Sequence, residues 1–283
     1  MIWRDLGGIE AGTLVASRFK LDGGAMFGQV PKPLWSRFSK ADEENRIPLI
    51  VRLLLLRTGD RLILVETGTG TDYDPQSLKR LALDPKGPEL SDLLQAAGID
   101  ARQVTDLVAT HLHFDHIGGV GCSAPSGDRR PVLPRARVWV QADHWARAQQ
   151  PGPKEARSFR AEDLGVLRQM PLELVDGERE IAPGIVVRPS RGHTDGLQMV
   201  IATGAREVLY YPSDLIPTLA HIRSAYTMGY DMWPDRLIEE KEALLAEIAE
   251  RDGLLVFVHD PATCACRVKR GAAGFVVASK EIL

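Results

Sequence analysis

Residues 104–117 run Val104-Thr105-Asp106-Leu107-Val108-Ala109-Thr110-His111-Leu112-His113-Phe114-Asp115-His116-Ile117, and the reading of this stretch decides the fold. Its first half is a short β-branched and apolar run, the pattern of a buried strand. Its second half places three of the chain's seven histidines and one aspartate within six positions. Histidines at i and i+2, followed by Asp and His as the chain turns out of a strand, can converge on a pair of ions. Neutral imidazoles offer nitrogen to a borderline metal at about 2.0–2.1 Å, and a carboxylate supplies an anionic ligand.

Working outward, the same pattern recurs. His193 stands in Arg191-Gly192-His193-Thr194-Asp195-Gly196, after the β-type run 185–189, with glycines that let the backbone turn tightly. Asp214 ends Tyr210-Tyr211-Pro212-Ser213-Asp214, and His259 closes Leu254-Leu255-Val256-Phe257-Val258. Metal-type side chains at the ends of successive apolar strands put a polar site along one sheet edge. His144 reads as an ordinary helix residue, and Cys264 and Cys266 as a core or strand feature.

Elsewhere, residues 47–57 and 61–66 flank Thr58-Gly59-Asp60 and predict a hairpin. Further strands are expected at 136–140, 172–175, 198–202 and 207–211, and helices at 88–98, 142–149 and 235–251. The last has Pro234 before it, Gly253 after it, and one apolar stripe through Leu237, Leu244 and Ile248. Pro125–Pro134 and Gln149–Lys154 read as surface loops inside one domain, 1–283, rather than linkers. Strands, a few helices, then strands again predict an α/β (α+β) chain with helices packed on sheets.

Composition narrows the function. The 283 residues carry 35 Lys+Arg against 38 Asp+Glu, a net charge of −3 with no basic block, which argues against a nucleic-acid partner. The most apolar run, Ile47–Leu56, is broken by Pro48 and Arg52 and is too short for a bilayer, so no membrane partner is expected. Three cysteines and no signal peptide predict a cytoplasmic protein. No Gly-x-Ser-x-Gly elbow and no Cys/His pair stands out as a nucleophile.

The ordered set of an acid-x-Gly turn, HxHxDH, Gly-His, Asp and a final His resembles the metallo-β-lactamase-fold hydrolases over about residues 47–260. The resemblance implies a four-layer αββα sandwich with two divalent metal ions per chain. It assigns His111, His113 and His193 to one ion, Asp115, His116 and His259 to the other, and Asp214 as the bridge. It further implies hydrolysis by a metal-bridging hydroxide, with Asp115 carrying the proton to the leaving group. Zinc is the default by ligand type, with Mn, Fe or Co as alternatives. The early turn departs from the family, having Glu66 where the family has Asp; that acid supports the ligand loop there.

Leu21–Trp35 and Ser213–Thr218 resemble the lactonase-like branch, which includes N-acyl-homoserine lactonases (quorum-quenching enzymes) and methyl parathion hydrolase-like phosphotriesterases. The expectation is therefore a small-molecule lactone or ester substrate, opened by a lactonase or, alternatively, cleaved by a phosphotriesterase or aryl-ester hydrolase. Residues 1–46 are expected to form an extension or loop that contributes to the pocket, with Met26, Phe27 and Trp35 as an apolar wall. Pro217 stands where some lactonases carry a carbonyl-assisting Tyr, which leaves His221 and Tyr230 as candidates. A homodimer is expected only because dimers are common.

Overall fold

The computed structural model describes residues 1–123 and 128–283. Two seven-stranded sheets stack with helices outside them, an αββα sandwich. The first sheet orders Arg4–Asp5, Glu10–Asp22, Arg46–Thr58, Arg61–Val65, Asp106–Val108, Arg137–Gln141 and Leu172–Val175. The second orders Arg179–Ala182, Ile185–Ser190, Leu197–Thr203, Val208–Tyr211, Leu254–Val256, Ala265–Gly271 and Gly274–Glu281. The first is antiparallel up to Arg61–Val65 and parallel beyond it, and the second is antiparallel except for one pair. Parallel pairs at Arg61–Val65/Asp106–Val108 and Val208–Tyr211/Leu254–Val256 bring strand ends to one edge.

Alternation along a strand explains the layering. Val200 and Ala202 enter the larger core between the sheets, whereas Met199 and Ile201 turn the other way. There they meet Leu237, Leu244, Leu245 and Ile248 of the helix Pro234–Glu250, which matches the predicted stripe. Burying such a helix face is worth about 1.5–3 kcal/mol per large aliphatic side chain. Among the described residues no helix is long and apolar enough to cross a membrane.

The predicted hairpin forms as Arg46–Thr58 and Arg61–Val65, turning through Gly59 at φ +56°. Three expectations change. Residues 10–22 are not loop but a 13-residue strand of the first sheet. Its alternation is scrambled by a register shift between Val15 and Ser17, so period-2 reading misses it. Cys266 is a buried strand residue as expected, but the hairpin around it, Ala265–Gly271/Gly274–Glu281, has no counterpart among the predicted strands, because half of it faces solvent. Within the expected loop Pro125–Pro134, residues 125–127 lie outside the described residues, and Arg129–Pro131 pairs with Gly121–Ser123 as a short hairpin.

The extension also corrects the expected apolar wall. Trp35 and Phe27 are 1% and 2% exposed, and neither lines the cavity over the cluster, as Met26 does. They stack at 5.5 Å, and Phe27 stacks in turn on His221 at 5.1 Å, which fixes the extension onto the loop after Asp214. Gly23 makes room for this stack, since a Cβ there would lie 2.5 Å from the Trp35 ring.

Candidate metal centre

Each polar residue of the cluster is delivered by a strand end. His111 and His113 follow Asp106–Val108, and Asp115 and His116 sit in the short helix Phe114–Ile117. His193 follows Ile185–Ser190, Asp214 lies in the 3-10 turn Ser213–Leu215 after Val208–Tyr211, and His259 follows Leu254–Val256. Both sheets thus contribute, and all seven side chains are buried.

The structure brings together two triads. His111, His113 and His193 place ligand-type atoms within 4.8 Å of one another, as do Asp115, His116 and His259. Asp214 stands between them. Its Oδ2 lies 3.3 Å from His193 Nε2, 3.5 Å from His116 Nε2 and 3.9 Å from His111 Nε2, and its Oδ1 lies 3.0 Å from His259 Nε2. Asp115 Oδ2 lies 3.6 Å from both His116 Nε2 and His259 Nε2.

Four of the five cluster histidines set Nδ1 against an oxygen, whereas His113 turns Nδ1 toward His193 Nε2 at 3.4 Å. His193 Nδ1 is 2.8 Å from Asp231 Oδ1, His259 Nδ1 is 2.8 Å from the Ile50 carbonyl, and His111 Nδ1 is 3.1 Å from Thr110 Oγ1. His116 Nδ1 is in charge contact with Glu66 Oε1 at 2.8 Å. Occupying Nδ1 turns Nε2 inward as the ligand nitrogen. Among the described residues, His111 Nε2, His116 Nε2 and Asp214 Oδ1 are buried with no hydrogen-bond partner. Buried polar atoms left this way are costly, and cations coordinated at these atoms would resolve the cost. The donor set therefore suits metal ions.

Charge follows the same geometry. Burial, reinforced by neighbouring imidazoles, holds His111 and His113 well below the usual histidine range, so both are neutral and ready to donate a lone pair. Burial opposes charge on His116 as well, but Glu66, Asp115 and Asp214 outweigh it and raise its pKa. Asp214 is drawn well below the carboxylate range despite burial, because His259, His116 and His193 surround it.

Glu66 is the hub beneath the cluster. Fully buried at φ +67°, it accepts hydrogen bonds from Thr110 Oγ1 at 2.7 Å, Ser213 Oγ at 2.7 Å and Tyr211 Oη at 2.8 Å. It thereby ties the segments carrying His111, His116 and Asp214. The following turn packs on the ligand loop through Thr67 N–H to the His116 carbonyl at 2.7 Å. Gly118 and Gly119 permit that approach, since a Cβ on either would meet the Thr69 or Thr67 carbonyl at 2.1 and 2.3 Å.

Four supporting residues had no sequence signal for their roles. His144 is not merely a helix residue: its Nε2 accepts from Leu112 N–H at 2.8 Å, between His111 and His113. Arg52, which breaks the apolar run, donates to the Phe257 carbonyl at 2.6 Å and the Asp260 carbonyl at 3.2 Å, bracing the turn that carries His259. Asp231 and Tyr211 reach the cluster only through tertiary contact.

Of the expected pocket residues, Met26 and Tyr230 line the cavity over the cluster, with Leu21, Phe114 and Met228 as its apolar wall. His221 is turned away from it and sealed, with Nδ1 2.7 Å from Thr218 Oγ1 and Nε2 2.9 Å from the Met26 carbonyl. Burial lowers its pKa to about 3.

A family model described as the metallo-beta-lactamase superfamily matches residues 46–259. The chain is 23% identical over 167 residues to an N-acyl homoserine lactonase of Bacillus sp., a match covering 55% of this chain and 59% of that protein. It superposes on a probable metal-dependent hydrolase from Staphylococcus aureus with a TM-score of 0.88, at 26% identity over 98% of each chain. A dizinc quorum-quenching lactonase solved with its product N-hexanoyl-L-homoserine superposes with a TM-score of 0.81 at 20% identity, over 100% of this chain and 98% of that one. That last likeness concerns the fold alone.

Proposed function

The chain belongs to the metallo-beta-lactamase superfamily, and from that premise we propose that it is a dinuclear metal-dependent hydrolase that opens lactone rings. One observation carries the reading: Asp214 reaches both triads at once, with Oδ2 toward His193 and His116 and Oδ1 toward His259. His111, His113 and His193 would hold one ion, Asp115, His116 and His259 the other, and Asp214 both. The nitrogen and oxygen donors, without thiolate, favour zinc. Two such ions, when bound, supply an activated water and a Lewis acid for the carbonyl oxygen.

The chain's own residues do the rest. Asp115 holds the proton taken from the water at its carboxylate and returns it to the leaving alkoxide. Tyr230, which lines the cavity with Asp115 and Asp214, directs its hydroxyl at the carbonyl and fills the role vacated at Pro217. Burial raises its pKa to about 12, so the phenol stays a donor at neutral pH. Leu21, Met26, Phe114 and Met228 exclude bulk water around the reacting ester.

The test is a pH-indicator assay of the metal-loaded protein on acyl-homoserine lactones, a γ-lactone and a paraoxon-type triester, with elemental analysis of the same sample. The expected result is two ions per chain, lactone kcat/KM of roughly 10⁴ M⁻¹s⁻¹ or more, and loss of metal and turnover together in Asp214→Ala. Faster turnover of the triester than of every lactone would assign the site to phosphotriester hydrolysis instead.

A further inference from the structure

Leu21, Phe114, Ser158 and Tyr230 line the cavity over the cluster and also an outer cavity of about 830 Å³. The outer cavity is not apolar. Lys154, Arg157 and Arg160, from a single segment, all border it. That segment is anchored beside the cluster: Glu155, 3% exposed, accepts from Thr194 Oγ1 at 2.9 Å and from Arg147 Nε, and Thr194 adjoins His193.

Among the described residues, Arg160 alone of the three cations has an ion-pair partner. Arg157 is exposed and, among the described residues, has neither an ion-pair nor a hydrogen-bond partner. Lys154 donates its ammonium to the carbonyl of Asp231, a neutral acceptor. Arg160 is held in place by Tyr73, whose ring lies 4.4 Å from its Cζ, by the Asp72 carbonyl at 2.7 Å and by Asp163 at 3.7 Å. Its second terminal nitrogen is buried with no hydrogen-bond partner. The acids on the cavity wall are mostly engaged elsewhere. Asp22 accepts from Ala25 N–H and Asn45, Asp74 caps the helix Pro75–Leu81, Glu44 pairs with Arg46, and Asp72 faces Arg129 at 3.6 Å. Arg160 is countered by Asp163 and, after it, by Glu162.

We propose that this outer cavity is an anion-receiving subsite, and that the substrate carries a carboxylate or phosphate group remote from its scissile ester. Arg157 takes that group, with Lys154 and Arg160 beside it, while the ester sits at the metal cluster. The proposal rests on the hydrolase reading above and narrows its substrate class from plain acyl chains to acid-tailed ones. A guanidinium fits either oxyanion through paired N–H donors.

The test compares N-glutaryl-homoserine lactone, its uncharged carboxamide isostere and the matching ω-phosphonate on the metal-loaded protein. KM for the acid-tailed lactone is expected to be about tenfold below that of the carboxamide, equivalent to ~1.4 kcal/mol. That ratio should shrink at high salt. In Arg157→Gln the ratio should fall to near one, and Arg157→Lys should restore it only in part, since an ammonium keeps the charge but lacks the paired donors. A larger gain for the phosphonate assigns phosphate as the natural group, and a larger gain for the carboxylate assigns a carboxylic acid. A ratio of one in the unmodified protein overturns the subsite while leaving the lactonase reading intact. Should no lactone open, calorimetry with the corresponding γ-lactams separates the two ideas. Acid-dependent binding that Arg157→Gln abolishes retains the subsite and drops the lactonase; charge-blind or absent binding drops the subsite.

Discussion

Asp231 Oδ1 lies 2.8 Å from Nδ1 of His193, so the loop that carries Tyr230 into the cavity is tied directly to a cluster histidine. The other carboxylate oxygen accepts from Met228 N–H at 2.7 Å, and Met232 N–H bonds the His193 carbonyl at 3.0 Å. Loop and histidine are therefore one mechanical unit. In Asp231→Asn, an amide must serve two donors with one oxygen, and the negative charge behind His193 is lost. Metal affinity should fall about 10–100-fold, read by competition with a chelator. Unchanged affinity would mean that the contact only orders the loop.

Glu66 makes a second prediction. Asp at this position matches the family but is one methylene too short for this cradle, where the carboxylate serves Thr110, Ser213, Tyr211 and His116. Glu66→Asp should leave at least one buried hydroxyl without a partner. The expected loss is about 1–3 kcal/mol in urea unfolding, with weaker metal binding. A variant as stable as the parent would show that the loop relaxes to meet the shorter acid.

Tyr230→Phe removes a hydroxyl from a side chain 37% exposed, so folding should be little affected. Lactone kcat/KM should drop about tenfold with both metals retained, as expected for loss of one hydrogen bond made in the transition state. Equal rates in the two proteins would remove Tyr230 from the reaction.

His144 gives a pH prediction whose sign follows from its bonds. Its Nε2 accepts from Leu112 N–H and its Nδ1 donates to the Asp195 carbonyl at 2.7 Å, so only the neutral ring fits. Burial lowers its pKa to about 4, against about 6.5 in the unfolded chain. Between those values the unfolded state binds the proton and the folded state does not. The contribution is therefore complete above pH 6.5 and is lost as pH falls toward 4, a loss on the order of 3 kcal/mol. Urea unfolding of chelator-treated protein should show a shallower acid slope in His144→Gln, and an unchanged slope would place the titrating group elsewhere.

The fold class, the two central hairpin strands, the long helix and the seven clustered side chains were legible in the sequence. They were legible because each is local: an alternation, a 3.6-residue stripe, or a polar residue at the end of an apolar run. The strand Glu10–Asp22 was hidden because one shift of register inverts its alternation, and the charged C-terminal hairpin because half of it faces solvent.

Residue type and position along the chain mark which side chains could be ligands and the order in which strand ends deliver them. Which neighbours hold them follows from packing between segments far apart in the chain. Asp231 is 38 residues from His193 and Tyr211 is 145 from Glu66, separations across which no periodicity speaks. Packing also decides which aromatic faces what. Trp35, Phe27 and His221 are as polar or apolar as any pocket residue, but Trp35 stacks on Phe27 and Phe27 on His221, away from the cavity over the cluster. Which side chains line a cavity and which pack on one another is set by the assembled layers, because Met26 and Trp35 are equally buried and differ only in what they face.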